Sequence, residues 1–111
     1  MNPNFNGFSE IEVAGASVPM YENDEFIGFE TTSCTPPGPM VNAMVALNYA
    51  KGKDKRVIMI NHRFPAGLIP KIEAFYEVES SALDNGFVKL IFTPKSGVEI
   101  PQMDTNQICH G

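Results

Sequence analysis

The chain has 111 residues, of which 43% are hydrophobic, and its 8 Lys and Arg stand against 13 Asp and Glu, for a formal net charge of −5. This length and apolar content suffice for one compact domain and leave little for a second. The acidic balance argues against direct nucleic-acid binding, because binding to a phosphate backbone needs a surplus of basic residues on one face. The basic run 51–56 predicts either a solvated loop or a docking patch for an acidic protein or tRNA.

The two cysteines, Cys34 and Cys109, are too few and too widely spaced to indicate a disulfide framework. The first residues lack the basic leader and apolar core of an export signal. No later segment approaches the roughly 18 apolar residues that span a bilayer. We therefore expect a reduced, cytoplasmic protein without membrane contact.

Residues 1–24 are acidic and predict an amino-terminal extension that adds at most an edge strand, over residues 11–13. The first strand of the main domain is predicted over residues 25–30. A helix is predicted over residues 40–50, and Pro39 suits its first turn because proline has no N–H to lose there.

The predicted first helix is amphipathic. Met40, Met44 and Leu47 recur at helical spacing and share one face. Asn42 and Asn48 fall outside this apolar stripe, so we expect neither side chain in the core.

The second half of the chain predicts a strand, a helix and a hairpin. Pro70 fits the helix only in its first turn, and Asn85-Gly86 is a typical hairpin turn. The resulting order of strand, helix, strand, helix, strand, strand predicts an α+β domain over residues 25–100, followed by a flexible tail over 101–111. The predicted elements are a strand over 56–61, a loop over 62–67, a helix from 68 to between 76 and 79, and strands over 78–83 and 87–93.

Cys34 is the first candidate functional residue, because it lies between the first predicted strand and the first predicted helix. Backbone N–H groups and the positive end of the helix dipole would favour its thiolate form there. The nearby prolines would stiffen the loop by restricting φ. The alternative is a buried cysteine that acts as a small apolar filler.

Three further residues carry possible chemistry. Cys109 lies beside His110 in the predicted tail and could act as a second thiol, or the tail could be inert. His62 and Arg63 follow the central strand, where ligands gather in open α/β sheets, and are possible anion contacts. Two cysteines and two histidines in the whole chain are too few to predict a metal site.

The order of the predicted elements and the positions of several prolines and glycines resemble those of the small SirA/TusA-like sulfur carriers over about residues 25–94. Pro36-Pro37-Gly38-Pro39-Met40-Val41 precedes the first helix, Ile69-Pro70 opens the second, and Asn85-Gly86 joins the last strands. In that family a Cys-Pro-x-Pro motif begins the first helix. The resemblance implies a two-layer α/β sandwich of order βαβαββ, with a mixed four-stranded sheet and two helices on one face. It also implies a cysteine that takes a persulfide sulfur from a donor protein and passes it to an acceptor protein, with no bound cofactor.

The motif departs from the family pattern in either alignment. If Pro37, Gly38 and Pro39 match Pro-x-Pro, Pro36 occupies the cysteine position and the carrier thiol is absent. If Cys34 is the family cysteine, Thr35 replaces the first proline. The first alignment is favoured because it leads from Pro39 directly into the apolar face of the predicted helix. The second is favoured because it keeps the cysteine that the carrier chemistry needs.

Two hypotheses follow from these alignments. One is a sulfur carrier, or sulfurtransferase-like protein, that uses Cys34. The other is a non-catalytic binding or regulatory module whose loop, with Pro36, Pro37, Gly38 and Pro39, receives a protein partner or a small anionic ligand.

Overall fold

A six-stranded mixed sheet with two α-helices forms the framework of the protein, seen in a computed structural model that describes residues 3–103. A single 3-10 turn at Pro3–Phe5 precedes the sheet. The elements that follow are β1 (Ser9–Ile11), β2 (Met20–Glu22), β3 (Phe26–Glu30), α1 (Gly38–Lys51), β4 (Arg56–Asn61), α2 (Ile69–Ile72), β5 (Tyr76–Ala82) and β6 (Val88–Pro94).

The strands lie in the order β1-β2-β3-β4-β6-β5. β3 and β4 are parallel and connected through α1, whereas all other neighbours are antiparallel. The α+β class, with a mixed sheet and two helices, is therefore confirmed. The expected four-stranded sheet is wrong, because residues 9–22 add β1 and β2 beside β3. Strands of three residues are too short to leave an alternating pattern in the sequence.

The two faces of the sheet bury different residues because side chains alternate along a strand. In β4, Val57 and Met59 pack into a large core that includes the inward residues of both helices. Ile58 and Ile60 pack into a smaller core on the opposite face. Both helices therefore contribute to the core on one face of the sheet.

The amino-terminal segment supplies the aromatic cover of the smaller core. The ring of Phe5 stacks on Tyr21 with centroids 5.0 Å apart and lies directly over Gly28 of β3. Any side chain at Gly28 would collide with that ring, so glycine is required for this close approach. Residues 3–22 are thus packed into the same fold as the predicted domain.

Helix α1 is buried around more of its circumference than its apolar stripe predicts. Asn42 is fully buried, so the expectation that it lies outside the core is wrong. Its Nδ2 donates to Gly38 O at 2.8 Å and to Ser17 Oγ at 2.9 Å, while Ser17 N donates to its Oδ1. The β1–β2 connection covers this side of α1 and satisfies the amide, which makes the burial tolerable.

Asn48 of α1 is half-buried and holds the carboxyl-terminal part of the described chain. Met103 N donates to Asn48 Oδ1 at 2.7 Å, and Asn48 Nδ2 donates to Met103 O at 3.0 Å. Met103 itself is buried. The rest of the predicted tail, including Cys109, lies outside the described residues.

Helix α2 spans only Ile69–Ile72, so the predicted helix reaching residues 76–79 is too long. Pro70 lies in its first turn, as expected. The helix stops because the sheet takes the following residues: Lys95 N donates to Phe75 O at 2.9 Å, and Tyr76 pairs with Pro94. Neither helix of residues 3–103 has the length and apolar character to cross a membrane.

The basic run before β4 is engaged by acidic residues of the amino-terminal part. Lys55 Nζ lies 2.8 Å from a carboxylate oxygen of Glu22, and Lys53 lies 4.0 Å from the same oxygen. Arg56 forms an ion pair with Glu25. The hydrogen bond from Lys55 lowers the pKa of the Glu22 carboxyl. These pairs favour a structural role for the basic run over a free docking patch.

Candidate functional site

Two loops meet at one end of the sheet and enclose a groove of about 390 Å³, which we call the loop groove. They follow β3 and β4, and the carboxyl ends of these parallel strands lie at the same edge of the sheet. The first loop and the start of α1 contribute Pro36, Pro37, Pro39 and Met40, and the second loop contributes residues 61–68.

The first wall of the loop groove is the β3–α1 loop, which is restrained by backbone hydrogen bonds and by prolines. Gly38 N donates to Thr35 O at 2.8 Å, and Val41 N donates to Pro37 O at 2.9 Å. The Pro36–Pro37 peptide bond is cis. Because each proline ring restricts φ, this wall has little conformational freedom to lose when a ligand docks.

Asn61, the last residue of β4, joins the two walls. It is only 3% exposed, and its Oδ1 accepts a hydrogen bond of 2.9 Å from Thr31 Oγ1. Its Nδ2 donates to Arg63 O at 2.9 Å. One buried amide therefore fixes the start of the first loop relative to the backbone of the second. We did not predict this role, although a polar residue closing a buried apolar strand is a usable signal.

The loop groove combines apolar surface with two nitrogen-bearing side chains. Phe64 is 45% exposed, more than any other large hydrophobic residue of residues 3–103. His62 and Arg63 line the groove beside it, and Arg63 is exposed. His62 Nδ1 is buried without a hydrogen-bond partner among the described residues, which is uncommon for a buried polar atom. This set suits a ligand with an apolar body and an anionic group.

Cys34 lines a different space of about 260 Å³, which we call the Cys34 cavity. The two spaces share no lining residue. The side chain of Cys34 is half-buried, and its Cβ would lie 3.1 Å from any Cβ placed on Gly38. The remaining lining residues of the Cys34 cavity are Val18, Pro19, Tyr21, Glu30, Thr32 and Ser33.

The surroundings of Cys34 favour the thiol over the thiolate. Burial raises the pKa of Cys34, opposite to the shift expected for a reactive thiol. The start of α1 offers few donors, since Gly38 N is used by Thr35 O and Pro39 has no N–H. Among residues 3–103, those that line the Cys34 cavity include the acid Glu30 and no basic side chain.

The structure therefore divides the predicted site residues into two groups. Pro36, Pro37, Pro39 and the pair 62–63 line the loop groove. Cys34 lines the Cys34 cavity instead, and Gly38 lines neither space. The predicted second thiol, Cys109, lies beyond the described part of the chain. The groove residues that sequence reasoning did not single out are Met40, Asn61, Phe64, Pro65, Ala66, Gly67 and Leu68.

Within residues 3–103, no three His, Cys, Asp or Glu side chains lie close enough together to hold a metal ion. Comparisons with protein-family models, curated proteins and solved structures found no significant match. The resemblance to the SirA/TusA-like carriers therefore stays a prediction.

Proposed function

We propose that this protein is a non-catalytic binding module that holds a small organic anion in the loop groove. The observation that carries the proposal is the meeting of two independently predicted segments in one groove. The prolines of the β3–α1 loop and the pair 62–63 lie about 25 positions apart in sequence. Cys34, the residue on which a carrier role depends, lines another space.

The chemistry of the lining indicates how such a ligand is held. The apolar body of the ligand packs against the proline rings, Met40 and the exposed Phe64. Its anionic group meets Arg63, whose planar guanidinium can make two parallel hydrogen bonds to a carboxylate or phosphate. His62 also lines the loop groove, but its unpartnered Nδ1 is buried, so we assign the anionic group to Arg63 alone.

Both walls of the loop groove are ordered before a ligand binds. Three prolines restrict one wall, and Asn61 fixes the backbone of Arg63 in the other. A groove that is already ordered loses less conformational entropy on binding than one that must be assembled. The overall charge of −5 repels anions at long range, so recognition depends on the local cation of Arg63.

The direct test is a titration with three anionic probes, acetate, phenylacetate and phenyl phosphate, and with the neutral phenylacetamide. Backbone amide shifts in NMR spectra report the position of each probe. We expect phenylacetate and phenyl phosphate to shift amides of residues 61–68 with saturation. We expect phenylacetamide to bind at least about tenfold more weakly, the effect of losing roughly 1.4 kcal/mol of charge pairing.

Arg63→Gln supplies the matched variant, because it keeps the polarity and much of the length of the exposed side chain. We expect it to weaken phenylacetate binding about tenfold without changing the thermal midpoint. Lys71→Gln removes an exposed positive charge outside the loop groove and should leave binding unchanged. Equal affinity for anion and amide, or no saturable binding by any probe, would contradict the proposal.

The sulfur-carrier role of Cys34 is the second candidate, and the partial exposure of its side chain beside a cavity favours it. In that role the Cys34 thiolate attacks the outer sulfur of a persulfide on a donor protein. A new S–S bond forms on Cys34, the donor's S–S bond breaks, and the donor thiolate leaves. One sulfur atom moves without net oxidation.

Mass spectrometry separates the two candidates. A carrier gains about 32 Da, the mass of one sulfur atom, on Cys34 after incubation with a persulfide donor. Cys34→Ser would lose that adduct and keep phenylacetate binding. Absence of the adduct in a Cys109→Ser protein, where only Cys34 can react, would rule out the carrier role.

A further inference from the structure

The two edges of the sheet are protected to very different degrees. β1 forms one edge and has three residues, so it offers little backbone to another strand. β5 forms the other edge, has seven residues and contains no proline. No strand of residues 3–103 pairs with its outer side. A long unpaired edge is a template for another extended chain.

The register identifies the backbone groups that face outward from β5. At one end of the β5–β6 pairing Leu83 N donates to Phe87 O at 2.8 Å, and at the other end Lys95 N donates to Phe75 O at 2.9 Å. The odd-numbered residues of this segment therefore direct their backbone N–H and C=O groups toward β6. Because antiparallel ladders alternate, the even-numbered residues turn their N–H and C=O groups to the free edge. Four residues of β5 face outward in this way, and Ser80 is one of the two in the middle.

The free edge of β5 carries acidic side chains and lies beside a trough of mixed polarity. Glu77 and Glu79 are exposed on the strand, and Glu73 is exposed just before it. None of the three forms an ion pair among the described residues. Between α2 and β5 lies a space of about 580 Å³, which we call the β5 trough. Ile69 and Val78 supply apolar lining, and the charged lining residues are two acids, Glu73 and Glu77, and one base, Lys95.

We propose that β5 accepts an extended basic segment of a partner protein as a seventh strand of the sheet. The outward N–H and C=O groups supply the ladder, as in other cases of strand addition. Alternate side chains of the segment lie beside Glu77 and Glu79, where positive charge is favoured, and the others face the β5 trough. A second copy of this chain is a poor occupant, because two β5 strands would bring like charges together.

The probe is the fluorescent peptide Lys-Val-Lys-Val-Lys-Val-Lys with blocked ends, and its control is the twin with Glu in place of every Lys. Anisotropy measured with the full chain should show saturable binding of the basic peptide that weakens at high salt. The acidic twin should not bind. In NMR spectra the largest amide shifts should fall on β5.

Ser80→Pro removes an outward N–H without touching the ladder to β6, so the fold should persist, as judged by its thermal midpoint. We expect this variant to lose binding of the basic peptide. Glu77→Gln with Glu79→Gln should weaken it about fivefold, whereas Glu99→Gln, an exposed acid away from the edge, should not.

Three results would overturn the proposal. These are equal binding of both peptides, wild-type affinity in a folded Ser80→Pro protein, and absence of binding to the basic peptide. Sedimentation that finds a dimer broken by Ser80→Pro would assign the edge to a second copy of the chain instead.

Discussion

The loop groove and the Cys34 cavity each include residues of the β3–α1 loop but offer opposite electrostatic surroundings. The loop groove is lined by His62 and by Arg63, whose side chain is an exposed cation. The Cys34 cavity contains Glu30, and burial raises the pKa of its thiol. The loop groove is therefore suited to attract a negatively charged ligand group, whereas the surroundings in the Cys34 cavity disfavour the negatively charged thiolate form of Cys34.

This difference shows that residues close together in the sequence can line separate sites. Cys34 and Pro36 are two positions apart, yet the turns between Thr31 and Gly38 direct them to separate surfaces. A thiol near a helix start becomes reactive only if donors or cations are free to stabilise its charge. Here Pro39 and the bond from Gly38 to Thr35 remove donors from that helix start.

The largest expected effect comes from Asn61→Ala, which removes the connection between the walls of the loop groove. The loss leaves polar groups of Thr31 and Arg63 without this partner. We expect the free energy of unfolding to fall by about 2 kcal/mol. Phenylacetate binding should weaken more than about tenfold, whereas Cys34 labelling should change less than about twofold.

Asn48→Ala is the control for that prediction, because it removes two hydrogen bonds to Met103 outside the loop groove. It should lower the unfolding free energy in urea without altering phenylacetate binding. If Asn61→Ala also left binding intact, the loop groove would not be the site.

The second effect is the slow reaction of Cys34 with iodoacetamide, measured in Cys109→Ser protein so that only Cys34 reacts. Because burial raises the pKa of Cys34, the labelling midpoint should lie above about 8.5. At pH 7.5 the rate should be lower than that of an unhindered thiol with the ordinary pKa. A midpoint near 7 would instead support the sulfur carrier.

A smaller effect is expected for Gly38→Ala, which crowds Cys34 without entering the loop groove. The new Cβ would lie 3.1 Å from Cys34 Cβ, so the loop must shift by a few tenths of an ångström. We expect a net loss of about 1 kcal/mol in unfolding free energy, a changed labelling rate and a smaller loss of phenylacetate binding than Asn61→Ala gives. Gly52→Ala, whose Cβ would meet Tyr49 O at an ordinary 3.7 Å, should not destabilise the protein.

The smallest effect is a pH dependence of stability from Cys34, again in Cys109→Ser protein. A raised pKa in the folded state means that folding favours the neutral thiol. Its stabilising contribution is complete below the unfolded value of about 8.5 and is lost as pH rises through the folded pKa. Relative to a Cys34→Ser protein, the unfolding free energy in urea should therefore decline above about pH 8.5.

The buried Tyr76 does not disturb that comparison. Its pKa is also raised by burial, but it is present in both proteins and cancels in the difference. A flat difference up to pH 10 would mean that Cys34 titrates equally in the folded and unfolded states.

The elements predicted well are those with strong local patterns. Central strand β4 has the predicted bounds, and α1 begins two residues before the predicted helix and ends one residue after it. The elements predicted poorly are short. β2 was missed, the predicted edge strand over 11–13 begins instead at Ser9 as β1, and α2 stops after one turn.

The candidate site was predicted in pieces. The prolines and the pair 62–63 were each proposed from their own surroundings, and the structure places them in one groove. Asn61 was not proposed, because its role depends on Thr31, thirty residues earlier. Asn42 was placed outside the core because the β1–β2 connection that covers it was not foreseen.

The amino-acid sequence by itself determined the α+β class and the order of the main elements, because hydrophobic periods and turn residues act within a few positions. It also placed prolines and basic side chains after two successive strands. Only the tertiary structure decided that these residues share a groove and that Cys34 does not belong to it. Such outcomes depend on how loops turn and on which backbone donors are already used, and both follow from contacts between residues far apart in the chain.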